Sequence, residues 1–236
     1  MTETTPNNGR FGNQLIRNLS VSIIAKKFNL YVNYSSYDLF KNLGLNLFIG
    51  ENKYNNLIKL TDENYFDILN SEKLESNLDP NNNYFQTKEI TNLLYSYINE
   101  NKNEIIKNNK FNDRYNNNND CYIHIRLDDA EKFNHGYEYY KKALNNIKFD
   151  NLYISSDNIN HDIIKNLQRE YNCILLYLDI IDIIKFASTN KYIILSNGSF
   201  SAVIGYLSFF SEVRYPKYNI IWHGDIFSIP NWIEII

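Results

Sequence analysis

Residues 121–126 read CYIHIR, an apolar run that ends in a histidine and an arginine two positions apart. It is too short for a helix and rich in the residue types that fill a buried strand. The same kind of run recurs downstream at NLYIS (151–155), CILLYL (173–178) and YIILS (192–196). Between and after these runs lie helical patterns: YEYYKKALNNI (137–147), HDIIKNLQREY (161–171), DIIDIIKFAS (179–188) and SFSAVIGYLSFF (199–210). Strict alternation of strand and helix predicts a parallel sheet covered by helices. The second half of the chain is therefore Rossmann-like in architecture, although it has no GxGxxG fingerprint.

Upstream, Leu15, Ile16, Leu19, Ile23 and Ile24 recur at helical spacing between Gly12 and Phe28, with Lys26 and Lys27 in the last turn. LYVNY (30–34) alternates like a strand. Residues 37–110 carry short mixed elements, ending in a helix predicted from Thr87 to Asn108. FNDRYNNNND (111–120) is polar with no hydrophobic period and is the best linker candidate. It suggests two domains, 1–115 and 116–236, closing over a cleft.

With 236 residues and 44% hydrophobic content, the chain can bury a substantial core. Its wealth of Asn, Ile, Lys, Tyr and Phe reflects an AT-rich coding sequence. A formal charge of -3 with scattered basic residues disfavours a nucleic-acid partner. Cys121 and Cys173 each begin a strand-like run without CxxC spacing, which reads as buried, reduced thiols. No run approaches the roughly 20 apolar residues of a membrane span, and MTETTPNN has no signal-peptide core. A cytoplasmic protein without a transmembrane segment is the expectation.

Ligands of open parallel sheets bind beyond the carboxyl ends of the strands. Those ends are polar here: His124, Arg126, Asp128 and Asp129 after the first, Ser155, Ser156 and Asp157 after the second, Ser196 to Ser199 and Ser201 after the fourth. His124 and Arg126 leave the same face of their strand. An arginine there can fork two N–H bonds onto a phosphate, or else pair structurally with Asp128 or Asp129. His124 is either a ligand-binding group or a satisfied core histidine. Ser199 and Ser201 open a helix, as phosphate contacts or as caps. Asp157 either accepts from a ribose or base edge or caps a loop. Together these clusters describe an anionic, nucleotide-like pocket. Near the amino terminus, NNGRFGNQLIRN (7–18) spends two of only eight glycines just before a helix.

Five pieces in order carry a resemblance: GRFGNQ (9–14), IHIRLDD (123–129), YEYYKKALNNI (137–147), YISSDN (153–158) and the run from Asp182 through LSNGSFS to Leu207. The chain resembles the alpha-1,2-fucosyltransferase family, and GRFGNQ is similar to the first motif of the protein O-fucosyltransferases of the same superfamily. The resemblance implies a GT-B-like pair of Rossmann-type domains, the amino-terminal one abbreviated and on the acceptor side, the second binding the nucleotide sugar. It implies an inverting transfer of L-fucose from GDP-fucose to a glycan hydroxyl, with no metal. The family's essential arginine falls on Arg126, which would neutralise the leaving diphosphate. Asp157 falls on a segment near the nucleotide, and Ser199, Phe200 and Ser201 on a segment near the phosphates. Gly9 and Gly12 would let the first loop approach donor and acceptor, with Arg10 and Asn13 reaching in. Asp129, with Asp128, is the nearest carboxylate for a general base.

The chain also departs from that pattern. Leu127 stands where the family has a second arginine, Ala202 and Val203 stand where it has aromatic residues, and MTETTPNN lacks the apolar first strand. Acceptor and sugar therefore stay open. A catalytically inactive nucleotide-sugar or glycan-binding module of the same fold is the alternative, and another Rossmann-type enzyme a third; the missing glycine fingerprint counts against a dinucleotide. Residues 35–110 and His223 match no motif.

Overall fold

The chain begins with a strand its composition conceals. The structure, a computed structural model, describes residues 1–6, 9–217 and 224–236. Strand β1 (Thr2–Glu3) is followed by helix α1 (Phe11–Phe28) and runs parallel to β2 (Val32–Asn33). Thr2 is fully buried, and its hydroxyl accepts the Leu78 N–H at 2.8 Å; the Thr4 hydroxyl accepts the Ser35 N–H at 2.8 Å. Hydroxyl groups thus replace the apolar side chains whose absence from MTETTPNN argued against a strand. Thr2→Val keeps the shape and strands the Leu78 N–H. A loss of about 1–3 kcal/mol is expected, read as a lower midpoint in urea unfolding.

Helix α1 ends where Asn29 turns left-handed at φ 50° and bonds back to the Ala25 carbonyl. The spacing predicted an amphipathic helix, yet Arg17, Asn18, Ser20 and Ser22 are buried along with the apolar positions. The helix is enclosed on nearly every side from Phe11 to Ala25. Helix α2 (Tyr37–Asn42), strand β3 (Leu57–Lys59), helix α3 (Tyr65–Asn70) and strand β4 (Asn77–Asp79) follow, with β3 and β4 parallel. The helix predicted over 87–108 is in fact two, α4 (Lys88–Glu100) and α5 (Lys102–Lys107). Asn101 interrupts it, and its side-chain amide donates to the Tyr97 carbonyl.

The polar tract 111–120 is tied down by its own side chains. Arg114 lies 4.5 Å over the Phe186 ring and donates to Asp120 at 2.8 Å, Asn190 at 3.0 Å and Thr189 at 3.1 Å. Asn118 donates to the Thr189 carbonyl and Asn119 to that of Lys148.

Beyond the tract come β5 (Cys121–Ile125), α6 (Gly136–Leu144), β6 (Leu152–Ser156), α7 (Asp162–Glu170), β7 (Cys173–Leu175), α8 (Ile180–Ala187), β8 (Tyr192–Ile194), α9 (Ser199–Tyr206), β9 (Glu212–Pro216) and β10 (Ile233–Ile235). The alternation read from sequence holds, and two further strands extend it. The six strands form one all-parallel sheet in the order β10-β9-β8-β5-β6-β7. Counted along the chain, that is the 3-2-1-4-5-6 order of a doubly wound, Rossmann-like sheet. Cys121, Ile123 and Ile125 pack with α6 and α7, while Tyr122 and Ile193 join α8, α9, α1 and α4 in a second, larger cluster. That larger cluster runs unbroken from α1 to the sheet. Order reverses between β5 and β8, so a crevice is expected beyond their carboxyl ends.

Candidate functional site

At that crevice His124 and Arg126 emerge on one side, as their spacing requires. The Arg126 guanidinium forks onto Asp129, with Nη2 at 2.9 and 3.0 Å from the two carboxylate oxygens and Nε at 3.2 Å from the first. Arg10, from the cap of α1, reaches the same carboxylate at 3.1 Å. The pairing and the cleft position coexist, because all three side chains line one cavity. Behind Arg126, a Cβ at Gly198 would lie 2.5 Å from Nη1, and φ there is +94°. Only glycine lets the backbone take that conformation and leave room for the guanidinium.

The hydrogen bonds and positive charges of Arg126, joined by the charge of Arg10, act on Asp129. They outweigh the upward push of partial burial and hold its carboxyl below the ordinary range. Asp129 is therefore ionised across the neutral range. Burial, reinforced by the Arg126 charge, pushes His124 down to about 3, so its imidazole is neutral.

Helices α1 and α9 meet at this cavity by their amino ends. A Cβ on Gly12 would come within 2.5 Å of the Phe200 nitrogen and 2.6 Å of the Ser199 carbonyl carbon. The close approach that Gly12 permits is thus to the backbone of α9. Gly9, at φ +102°, turns over Asn13, whose side chain a Cβ would strike. The Asn13 carbonyl oxygen accepts from Gln86 at 2.8 Å and from the Ser199 hydroxyl. Neither cap residue, Arg10 nor Gly198, offers a side-chain bond to the first amides of its helix. Two helix amino ends facing one cavity favour an anion there.

The cavity holds about 520 Å³, within the range that admits a nucleotide-sized ligand. Gly9, Arg10, Gly12, Asn13, His124, Arg126, Asp129, Asp157, Ser199 and Phe200 all border it. Ser201 does not. It is fully buried behind the wall and bonds His124, so it is neither the cap of α9 nor a lining group. Asp157 takes the loop-capping role, accepting the Leu127 N–H at 2.8 Å, although it stays exposed at the rim. Leu127 turns into the core under α6 and α7.

An apolar wall of Leu176, Leu178, Ile180 and Ile183 completes the cavity, and the strand-end reasoning did not single it out. Its signal lay in CILLYL: the sheet uses only Cys173–Leu175, and the rest of the apolar run spills out beside the site. Leu178 and Ile180 are each 41% exposed, so the wall presents apolar surface to the cavity. Cys173 is half-buried, not buried as expected, because β7 is the sheet's edge strand; Cys121 is fully buried. Among the described residues, no helix is long and apolar enough to cross a membrane. His223 and the first half of the IIWHGDIF stretch (220–227) lie outside the described residues.

No family model matches the chain, and neither a curated protein nor a solved structure matches it significantly.

Proposed function

We propose that the cleft binds a nucleoside-diphosphate sugar, GDP-fucose in the reading favoured by the motifs, and passes the sugar with inversion to a glycan hydroxyl. The observation that carries this is the convergence of Arg10 and Arg126 on one carboxylate where two helices present their amino ends. Asp129 sits where a diphosphate would sit. An incoming diphosphate takes over both guanidinium groups and releases that carboxylate. The bond from the sugar's anomeric carbon to the β-phosphate oxygen then breaks as the bond to the acceptor oxygen forms. Charge collects on the departing diphosphate, which the arginines stabilise most in the transition state. Asp129, relieved of its partners, is the nearest carboxylate to take the acceptor proton. The missing second arginine at Leu127 has a replacement in this arrangement. Leu127 belongs to the core, and Arg10 supplies the second guanidinium from the other half of the chain. A GT-B-like pairing of residues 1–115 with 116–236 around the cleft belongs to the same proposal.

The test is a thermal-shift and calorimetric screen of GDP, UDP, their sugars and free sugars, followed by a GDP-release assay with candidate glycans. A true ligand at a hundred times its dissociation constant stabilises by roughly 2.7 kcal/mol. Binding of GDP-fucose without release under any acceptor would instead favour the inactive binding module, and binding of no nucleotide would overturn the transferase and leave only a glycan-binding module, itself overturned if no sugar binds.

Because the arginines supply the positive charge, EDTA is expected to leave GDP affinity and turnover unchanged. Activity lost on chelation and restored by magnesium or manganese would refute metal independence.

A further inference from the structure

Ser201 is buried beyond the reach of solvent, yet its hydroxyl has two neighbours, the Ser196 N–H at 2.9 Å and His124 Nδ1 at 2.7 Å. A hydroxyl carries one proton and two lone pairs. The Ser196 N–H can only donate, so it occupies a lone pair. Among the described residues the Ser201 proton then has one acceptor within reach, Nδ1. Were Nδ1 protonated, two donors would face the oxygen, and the Ser201 proton would be left buried without a partner, at the cost of an unmade hydrogen bond. The bond network therefore runs from the Ser196 N–H to Ser201 and from Ser201 to Nδ1. The imidazole proton must sit on Nε2, and His124 borders the cleft.

We infer that Ser201 is a positioning residue that locks His124 in its Nε2–H tautomer, making the imidazole a fixed neutral hydrogen-bond donor to an oxygen of the ligand in the cleft. The ligand's class rests on the nucleotide-sugar reading above; the tautomer does not. Two arginines flank the ring's surroundings, Arg126 on the same strand and Arg10 across the cleft, with Asp129 between them and Asp157 at the rim. The Arg126 charge opposes an imidazolium, and the ring lies 5.1 Å from Phe200, which walls its side. A neutral donor locked in this way offers no lone pair to the cleft. It cannot act there as a general base or a metal ligand.

The measurement is nitrogen-15 NMR of histidine-labelled protein without ligand. His161 Nδ1 also accepts, from the Ile163 N–H, so the His124 signals are assigned by their loss in His124→Gln. The expected result is a ring protonated at Nε2 and bare at Nδ1, unchanged between pH 5 and 8. A proton on Nδ1, or titration within that range, would overturn the lock. Ser201→Ala is expected to give a mixture of tautomers and Ser201→Thr to keep one; a ring unaffected by Ser201→Ala would also overturn it. GDP and inorganic pyrophosphate are then titrated in. A shift of the Nε2–H resonance with either one is expected, and His124→Leu should weaken the binding of that probe on the order of tenfold. No shift with either probe would overturn the donor role in the cleft, while the tautomer result in the free protein would stand by itself.

Discussion

Arg126→Lys is expected to lower kcat for sugar transfer by about 10² to 10³ while moving the melting temperature only slightly. Lysine keeps the charge but presents an ammonium, which cannot span two oxygens in the plane that Arg126 now offers to Asp129. Removing one preorganised donor to a developing oxyanion typically costs this much in rate. The stability cost is small because lysine keeps the positive charge beside Asp129, whose side chain is 48% exposed and well solvated although that of Arg126 is only 12% exposed; about 1 kcal/mol is expected. For a chain of this length, that corresponds to roughly 2–4 °C. Steady-state kinetics and calorimetric melting on the same preparation separate the two quantities. Near wild-type turnover, or a protein that no longer folds, would remove Arg126 from the chemistry.

Gly12→Ala is expected to destabilise the protein by about 2 kcal/mol, although local helix chemistry argues for the opposite sign. Replacing glycine by alanine within a helix ordinarily gains about 1 kcal/mol. Here the new methyl would meet the Phe200 nitrogen and the Ser199 carbonyl carbon, which are backbone atoms that no rotamer change can move aside. Overpacking of this kind costs about 1–3 kcal/mol and more where neighbours are rigid, so it outweighs the propensity gain. The melting temperature should fall by roughly 4–8 °C. The Asn13 to Ser199 hydrogen bond should be disturbed with it, and nucleotide affinity should decline. A variant as stable as the wild type would mean that α1 and α9 do not meet at Gly12.

The sheet was legible because its signal is periodic and local. Runs such as CYIHIR and YIILS cannot be placed elsewhere, and the polar residues at their ends mark the side on which the cleft opens. The pairing of Arg126 with Asp129 was one of two options visible in the sequence, and the structure realises it beside the cleft. Other features depend on partners distant in the chain. That Gly12 serves α9, that Ser201 stands behind His124, and that Arg10 shares a carboxylate with Arg126 are facts of tertiary proximity, and no spacing encodes them. β1 was hidden, and the anchoring of the 111–120 loop was invisible, for a different reason. Both are fixed by side-chain hydrogen bonds in place of burial of apolar groups, so hydropathy reads them as loops.

The contact between α1 and α9 also sets a timetable for biosynthesis. Asn13 and Ser199 lie 186 positions apart, and the cleft is built on their junction. At 5–20 residues per second, a ribosome needs roughly 10–40 s to deliver the second helix after the first. Throughout that interval α1 can pack against α3 and α4 but not against α9, so the face that α9 will cover stays open. The nascent amino-terminal segment is thus a natural client for a chaperone, and the cleft itself cannot exist until the chain has been made as far as Ser199 and folded back onto α1.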